Sequence, residues 1–212
     1  IREFTEFGSG FKIALRDLEI RGAGSVLGER QHGQLAVVGY DMYCKLLAQV
    51  VAEAGGIAIE TPQEVNVNID VNAFIPFSYV EDDETRVDIY QKIAAIQTRD
   101  DIMELTDELI DRFGDMPKEV FRLMEISFIR YGAGRCGFRE VSFKAGKILF
   151  SFVQGARITE IPFLPALMSV YQGRLLLHAG TEPYLSLATN GMEMDTVLKT
   201  VSDFLEACLK QI

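Results

Sequence analysis

Near the start of the chain, Gly22, Gly24 and Gly28 alternate with Arg21, Glu29, Arg30, Gln31 and His32. This is the one stretch whose residue types and spacing suggest phosphate chemistry. A glycine-rich backbone cradles phosphates when it opens a helix N-terminus after a strand, or when a Lys followed by Ser or Thr reaches the terminal phosphates and magnesium. Here the glycines follow a predicted helix, and no Lys-Ser or Lys-Thr pair stands beside them. The pattern therefore argues against a nucleotide cradle. His32 and His178, the two histidines, have no Cys, His or carboxylate at ligand spacing, and no G-x-S-x-G elbow occurs. Asp82-Asp83 and Asp100-Asp101 stand at predicted helix starts, where capping explains them more simply than acid-base work. Cys44, Cys136 and Cys208 lack the paired spacing of a zinc or redox motif and are expected to be buried, reduced thiols. The inventory predicts a segment that turns over no substrate alone and binds no metal or cofactor.

The elements around these residues follow from periodicity. Phe11, Ala14, Leu15 and Leu18 recur at helical spacing, so a helix is predicted over about 11–20 with Arg16 and Glu19 facing elsewhere. Gly22 and Gly24 then permit a tight reversal, with Arg21 at the hinge and a second short element carrying Arg30, Gln31 and His32. That arrangement is a lever rather than a pocket. A second helix is predicted over 41–54, striped by Met42, Tyr43, Leu46, Leu47, Val50 and Val51 and stopped by Gly55 and Gly56.

Beyond Pro62 the pattern changes. Val65, Val67, Ile69 and Val71 alternate with Asn66, Asn68, Asp70 and Asn72, which predicts a strand with one polar face. That polar row is no calcium site, because side chains two apart on a strand lie ~7 Å from each other and do not converge. Three helices are predicted next. The first is capped by Asp82 or Asp83 and carries Val87, Tyr90, Ile93 and Ala94 inward. The second is capped by Thr98 with Asp101, striped by Ile102, Leu105, Leu109 and Phe113, and stopped by Gly114. The third starts near Pro117. A hairpin through Lys144-Ala145-Gly146-Lys147, a second strand pair at 175–177 and 184–188, and a last helix over 194–209 complete the pattern. The reading is α+β: a helical hairpin over 1–38, a connector over 39–61, and a domain over 62–212 of helices packed on a small antiparallel sheet.

Charge limits the partners. The formal net charge is −10, and the stretch from Glu81 to Asp115 holds twelve acidic and four basic residues. Duplex binding needs clustered Lys and Arg to release counterions, so most of this chain is expected to repel DNA. Glu104, Asp107, Glu108 and Asp111 fall on the outer face of the second domain helix, either as a solvated surface or as a docking surface for a basic partner. No apolar run approaches the ~20 residues of a membrane span, and a soluble, cytoplasmic protein is expected. The chain opens on Ile1, as expected of a piece of something longer.

The run DLEIRGAGSVLGERQHG, preceded by FGSGFKIALR, resembles the TRG motif of two bacterial DNA translocase families, RecG and the transcription-repair coupling factors (Mfd). The continuation separates them: SYVEDDETRVDIYQKI and DELIDRFGDMPKEV resemble the C-terminal domain of Mfd, and RecG chains end soon after the motif. That resemblance implies a parent that is an ATP-dependent translocase on double-stranded DNA, using ATP and magnesium. It would displace stalled RNA polymerase and recruit UvrA for excision repair. The resemblance makes Arg16, Arg21, Gly22, Gly24 and Gln31 the motor-coupling positions, whereas Arg21 read alone favours a static bridge to Glu19 or a neighbouring helix. For the residues from about Pro62 onward it implies a brake, docked on the motor and on the N-terminal region that binds UvrA. The alternative is a RecG-like terminus followed by an unrelated interaction or oligomerisation domain.

Overall fold

The computed structural model describes residues 65–212. The TRG-like hairpin, the connector helix, Cys44 and the positions Arg16, Arg21, Gly22, Gly24 and Gln31 lie outside the described residues. In order, the elements are β1 (Asn66–Asn68), α1 (Asp83–Ala94), α2 (Arg99–Phe113), α3 (Lys118–Arg135), β2 (Phe138–Lys144), β3 (Lys147–Phe152), a 3-10 turn (Ile158–Glu160), α4 (Leu164–Val170), β4 (Leu175–His178), β5 (Tyr184–Ala188) and α5 (Met194–Leu209). This is an α+β fold, with helices packed on a five-stranded sheet of order β1-β2-β3-β5-β4.

The described residues divide into two compact units. One contains Asp70–Ala95 and Met103–Leu123; the other contains 65–69, Ile96–Ile102 and Met124–Ile212.

In the first unit, Asp82 caps α1 by accepting from the Thr85 amide at 2.8 Å, and Asp83 and Glu84 occupy the first turn, where negative charge meets the positive end of the macrodipole. The buried face of α1 is Arg86, Ile89, Tyr90 and Ile93. Val87 is only half-buried and Ala94 is exposed, which corrects the predicted stripe. Helical spacing alone did not suggest that a guanidinium would hold a core position. Arg86 does so because its charge is matched: it pairs with Asp83, donates to the Val80 carbonyl at 3.1 Å, and lies 5.2 Å over the Phe77 ring. The Tyr90 hydroxyl accepts from the Ile75 amide at 3.1 Å, tying the segment before α1 to the helix. Tyr79 donates toward the carbonyls of Leu109 (3.2 Å) and Gly114 (3.4 Å), tying the segment before α1 to the C-terminal end of α2.

The second unit is built on the sheet. The alternation over 65–73 holds residue by residue, apolar buried and polar exposed, although only Asn66–Asn68 pair as a strand. β1 runs parallel to β2, so the sheet is mixed; the expected wholly antiparallel arrangement applies to β2, β3, β5 and β4. Three helices separate β1 from β2 in the chain, and such a crossover permits parallel pairing where a short hairpin would not. On one sheet face Phe138, Phe150 and Phe152 meet Phe163 and the α5 residue Phe204 in ring contacts of 4.6–5.9 Å. The 3-10 turn and α4 were not foreseen. Seven residues starting beside Pro165 carry too little periodicity to distinguish a short helix from a loop.

The β2–β3 turn has the predicted sequence and geometry. Ala145 and Gly146 both have positive φ, 50° and 71°, as a two-residue primed turn requires. A Cβ on Gly146 would stand 2.6 Å from Asn190 Oδ1. Gly146→Ala is therefore expected to lower stability by about 1–2 kcal/mol, read from urea unfolding by circular dichroism. An unchanged midpoint would show that the turn adopts another conformation.

Candidate docking surface

Helix α2 carries the four acidic candidates, and two local devices fix its start. Thr98 Oγ1 accepts from the Asp101 amide at 3.1 Å, while Asp101 Oδ2 accepts from the amides of Thr98 and Gln97, both at 2.8 Å, a reciprocal capping box. Those amide donors, the Gln97 one first, hold the Asp101 carboxyl below its ordinary value. The second device is Arg99. Its Nη1 lies 2.7 Å from Glu125 Oε1 and its Nη2 lies 2.9 Å from Asp203 Oδ1; Nε is 3.6 Å from Glu206 Oε2, and the guanidinium sits 4.9 Å over the Phe128 ring. Glu125 is 2% exposed and also accepts from the buried Ser202 hydroxyl. A carboxylate this buried demands a full set of donors, and Arg99 with Ser202 supplies them. No local pattern signals this cluster, whose members come from α2, α3 and α5.

Along α2, Ile102, Leu105 and Leu109 are buried, as predicted, and Phe113 is half-buried. The opposite face exposes Glu104, Asp107 and Asp111. Two large apolar residues, Met103 and Ile110, stand among them at 64% and 45% exposure, seven positions apart and so on one side of the helix. Glu108 differs from its three companions. Lys92 Nζ lies 2.6 Å from its Oε1 and Arg112 Nη1 lies 2.9 Å away, and hydrogen bonds from Lys92 first and Arg112 second hold its carboxyl below the ordinary range. Glu108 thus braces α2 against α1, leaving Glu104, Asp107 and Asp111 to face outward.

The surface has recognition chemistry but no catalytic constellation. Among the described residues no group of three His, Cys, Asp or Glu is placed to hold a metal ion. His178 is occupied structurally: its Nε2 lies 2.8 Å from Ser186 Oγ and its ring stacks on Tyr184 at 4.2 Å. Asp82 and Asp101 are spent on helix caps, as expected. Among the described residues no helix is long and apolar enough to cross a membrane.

The α1–α2–α3 succession, the acidic face and strands β2 and β3 all lie within the part of the chain that matches a known family. Residues 69–161 match the TRCF domain. The chain is 43% identical over 150 residues to the transcription-repair-coupling factor of Staphylococcus haemolyticus and 45% identical over 152 residues to that of Staphylococcus aureus (strain USA300). In each case the match takes in 70% of this chain and 13% of the relative, so the chain spans only a small part of those proteins. Its fold is similar to a crystal structure of the C-terminal domain of transcription-repair coupling factor, with a TM-score of 0.60 and 26% identity, covering 69% of this chain and 92% of that one. The TRCF match runs through SYVEDDETRVDIYQKI and DELIDRFGDMPKEV, the two runs that carried the resemblance to the coupling factors. The candidate surface on α2 therefore lies within the residues that match the TRCF domain.

Proposed function

We propose that this chain serves as the coupling and regulatory end of a transcription-repair coupling factor, an ATP-dependent double-stranded DNA translocase that displaces stalled RNA polymerase and recruits excision repair. In this reading Arg16, Arg21, Gly22, Gly24 and Gln31 relate the nucleotide state of the motor to movement. The TRCF domain restrains the parent by docking on the motor and on the region that binds UvrA. ATP, magnesium, DNA, RNA polymerase and UvrA are ligands of the parent, and this segment acts through intramolecular contacts.

One observation carries the docking role: the outward face of α2 places uncompensated Glu104, Asp107 and Asp111 around exposed Met103 and Ile110. An apolar centre with a charged rim is the anatomy of a reversible protein interface, and charged contacts can be displaced by a competing partner or weakened by salt. A basic, partly apolar surface is its complement. The acidic sign also disfavours DNA as the occupant.

The test is the triple charge reversal Glu104→Lys, Asp107→Lys and Asp111→Lys in the full-length parent. Release of the brake should raise ATPase activity and tighten UvrA binding, each by about fivefold or more if the coupling is of ordinary size. Because all three positions are solvent-facing, the dichroism spectrum and unfolding midpoint should change little. Wild-type values in both functional assays would remove this face from the restraint.

A further inference from the structure

Val141, Ile148, Phe150, Leu185 and Leu187 bury one face of the sheet, Phe150 with its ring 4.6 Å from that of Phe204 on α5. The other face is open, and its residues line up in rows. Register places Lys144, Lys147 and Ala188 side by side across β2, β3 and β5. Arg174, whose carbonyl accepts from the Ala188 amide at 2.8 Å, continues that row one residue before β4. The adjacent row is Ser142, Leu149, Ser186 and Leu176. Side chains two apart on a strand share a face, so both rows stand on the open side. The three cations are exposed, and among the described residues no carboxylate pairs with any of them. Leu176 is 48% exposed and Leu149 half-buried beside them. Glu140, a carboxylate on this face, lies in the row beyond the leucines and accepts from Asn68 at 3.2 Å. A chain of net charge −10 thus keeps one basic, partly apolar surface.

The outer surface of α2 is its counterpart in sign and in spacing. Met103 and Ile110 are seven residues apart, about 10.5 Å along a helix, and Glu104 and Asp111 span the same length. Neighbouring strands lie ~4.8 Å apart, so Leu149 on β3 and Leu176 on β4, two strands over, are separated by about 10 Å, and the cations from Lys144 to Arg174 span about 14 Å. A helix laid across the strands therefore sets its apolar pair on the two leucines. Each residue turns a helix by about 100°, which puts Asp107, Asp111 and Glu104 about 40–100° around the axis from Met103, all on one side of the Met103–Ile110 line. On the sheet the cations likewise lie all on one side of the leucines. One of the two directions in which the helix can lie brings the charged rows together.

We infer that the outer face of α2 on one copy of this chain docks across the open sheet face of a second copy, with Glu104, Asp107 and Asp111 against Lys144, Lys147 and Arg174. Met103 and Ile110 then cover Leu149 and Leu176. Both surfaces are exposed in the single chain, so the contact is made between copies. Each copy presents one of each surface, and copies either pair reciprocally or add head to tail. One helix face on two rows of a sheet belongs to the class of interfaces below about 1,200 Å², so the association is transient and its charged part is screened by salt. The inference does not rest on the brake, since it needs only the two surfaces of this chain.

Sedimentation of the 212-residue chain tests this. The weight-average mass should rise with concentration up to about 1 mM, and raising salt from about 50 to about 500 mM should weaken association by about tenfold or more. Copies of net charge −10 repel one another, so an association without this charge matching would strengthen with salt instead. The triple variants Glu104→Lys, Asp107→Lys, Asp111→Lys and Lys144→Glu, Lys147→Glu, Arg174→Glu should each remain monomeric, with dichroism spectra unchanged because all six positions are exposed. Mixed in equal amounts they should associate again, since each then carries the charge that the other's surface needs. Lys144→Glu with Lys147→Glu, which keeps the Arg174 hydrogen bond to Ala188, should weaken association by about fivefold or more. The inference is overturned if the wild-type chain stays monomeric, if its association strengthens with salt, or if the mixed variants stay apart. It is equally overturned if a labelled single-stranded oligonucleotide of about 20 nucleotides binds through these three cations while the chain stays monomeric, which would make nucleic acid their occupant.

Discussion

Arg99→Ala should lower the unfolding free energy of the chain by about 3–5 kcal/mol, because it strands the Glu125 carboxylate in a site 2% exposed to water. The guanidinium now donates to Glu125 at 2.7 Å and to Asp203 at 2.9 Å, and among the described residues no other cation lies in contact with the Glu125 carboxylate. The size of the loss arises from the partner left behind rather than from the attraction removed. Arg99→Met combined with Glu125→Leu should therefore cost less than Arg99→Ala alone, since neither charge then needs solvating by the protein. Ser202 would keep an unpaired hydroxyl in the double variant, a penalty of about 1–3 kcal/mol that Ser202→Ala should relieve. The chain contains no tryptophan, so urea unfolding is best followed by circular dichroism. If the double variant proved less stable than the single, Arg99 would be stabilising chiefly through Asp203, Glu206 and the Phe128 ring, and the buried carboxylate would not be what sets the cost.

The second large effect is in the aromatic core. Phe138 is fully buried, and its ring lies 4.8 Å from Phe152, 5.3 Å from Phe150 and 5.9 Å from Phe163. Phe138→Ala removes the ring around which β2, β3 and the start of α4 meet, and should cost about 3–5 kcal/mol through lost transfer energy and an unfilled cavity. Phe138→Leu keeps most of the volume and should cost about 1–1.5 kcal/mol. Comparable losses for the two substitutions would mean that shape rather than volume governs this part of the core. The register irregularity between Phe138 and Glu140 gives a reason to expect some such contribution, since a bulge aims that ring off the regular pleat.

These two sites differ in how far the sequence foretold them. Phe138 opens β2, and by period alone Val141, Phe143, Ile148, Phe150 and Phe152 fit two short strands; the structure buries all five but Phe143, which is half-buried. The capping box of Thr98 and Asp101, the turn at Ala145-Gly146 and the last helix were equally legible, because each is decided by groups within a few residues of one another. The acidic face of α2 was also local, a matter of which helical positions the apolar stripe leaves over. Even so, only the packed fold showed that Glu108 is engaged by Lys92 across sixteen positions and that Met103 and Ile110 remain uncovered beside Glu104, Asp107 and Asp111.

Periodicity, caps and turn chemistry in the sequence determined an α+β chain with its principal helices and strands, an acidic surface, and a likeness to the coupling factors carried by two short runs. Tertiary structure alone decided that β1 pairs in parallel with β2, and that Arg86 and Glu125 are buried with their charges matched. The division has a physical cause. Short-range backbone hydrogen bonds and side-chain spacing are encoded within a single turn or strand, whereas the desolvation of a charge depends on which distant surfaces close upon each other.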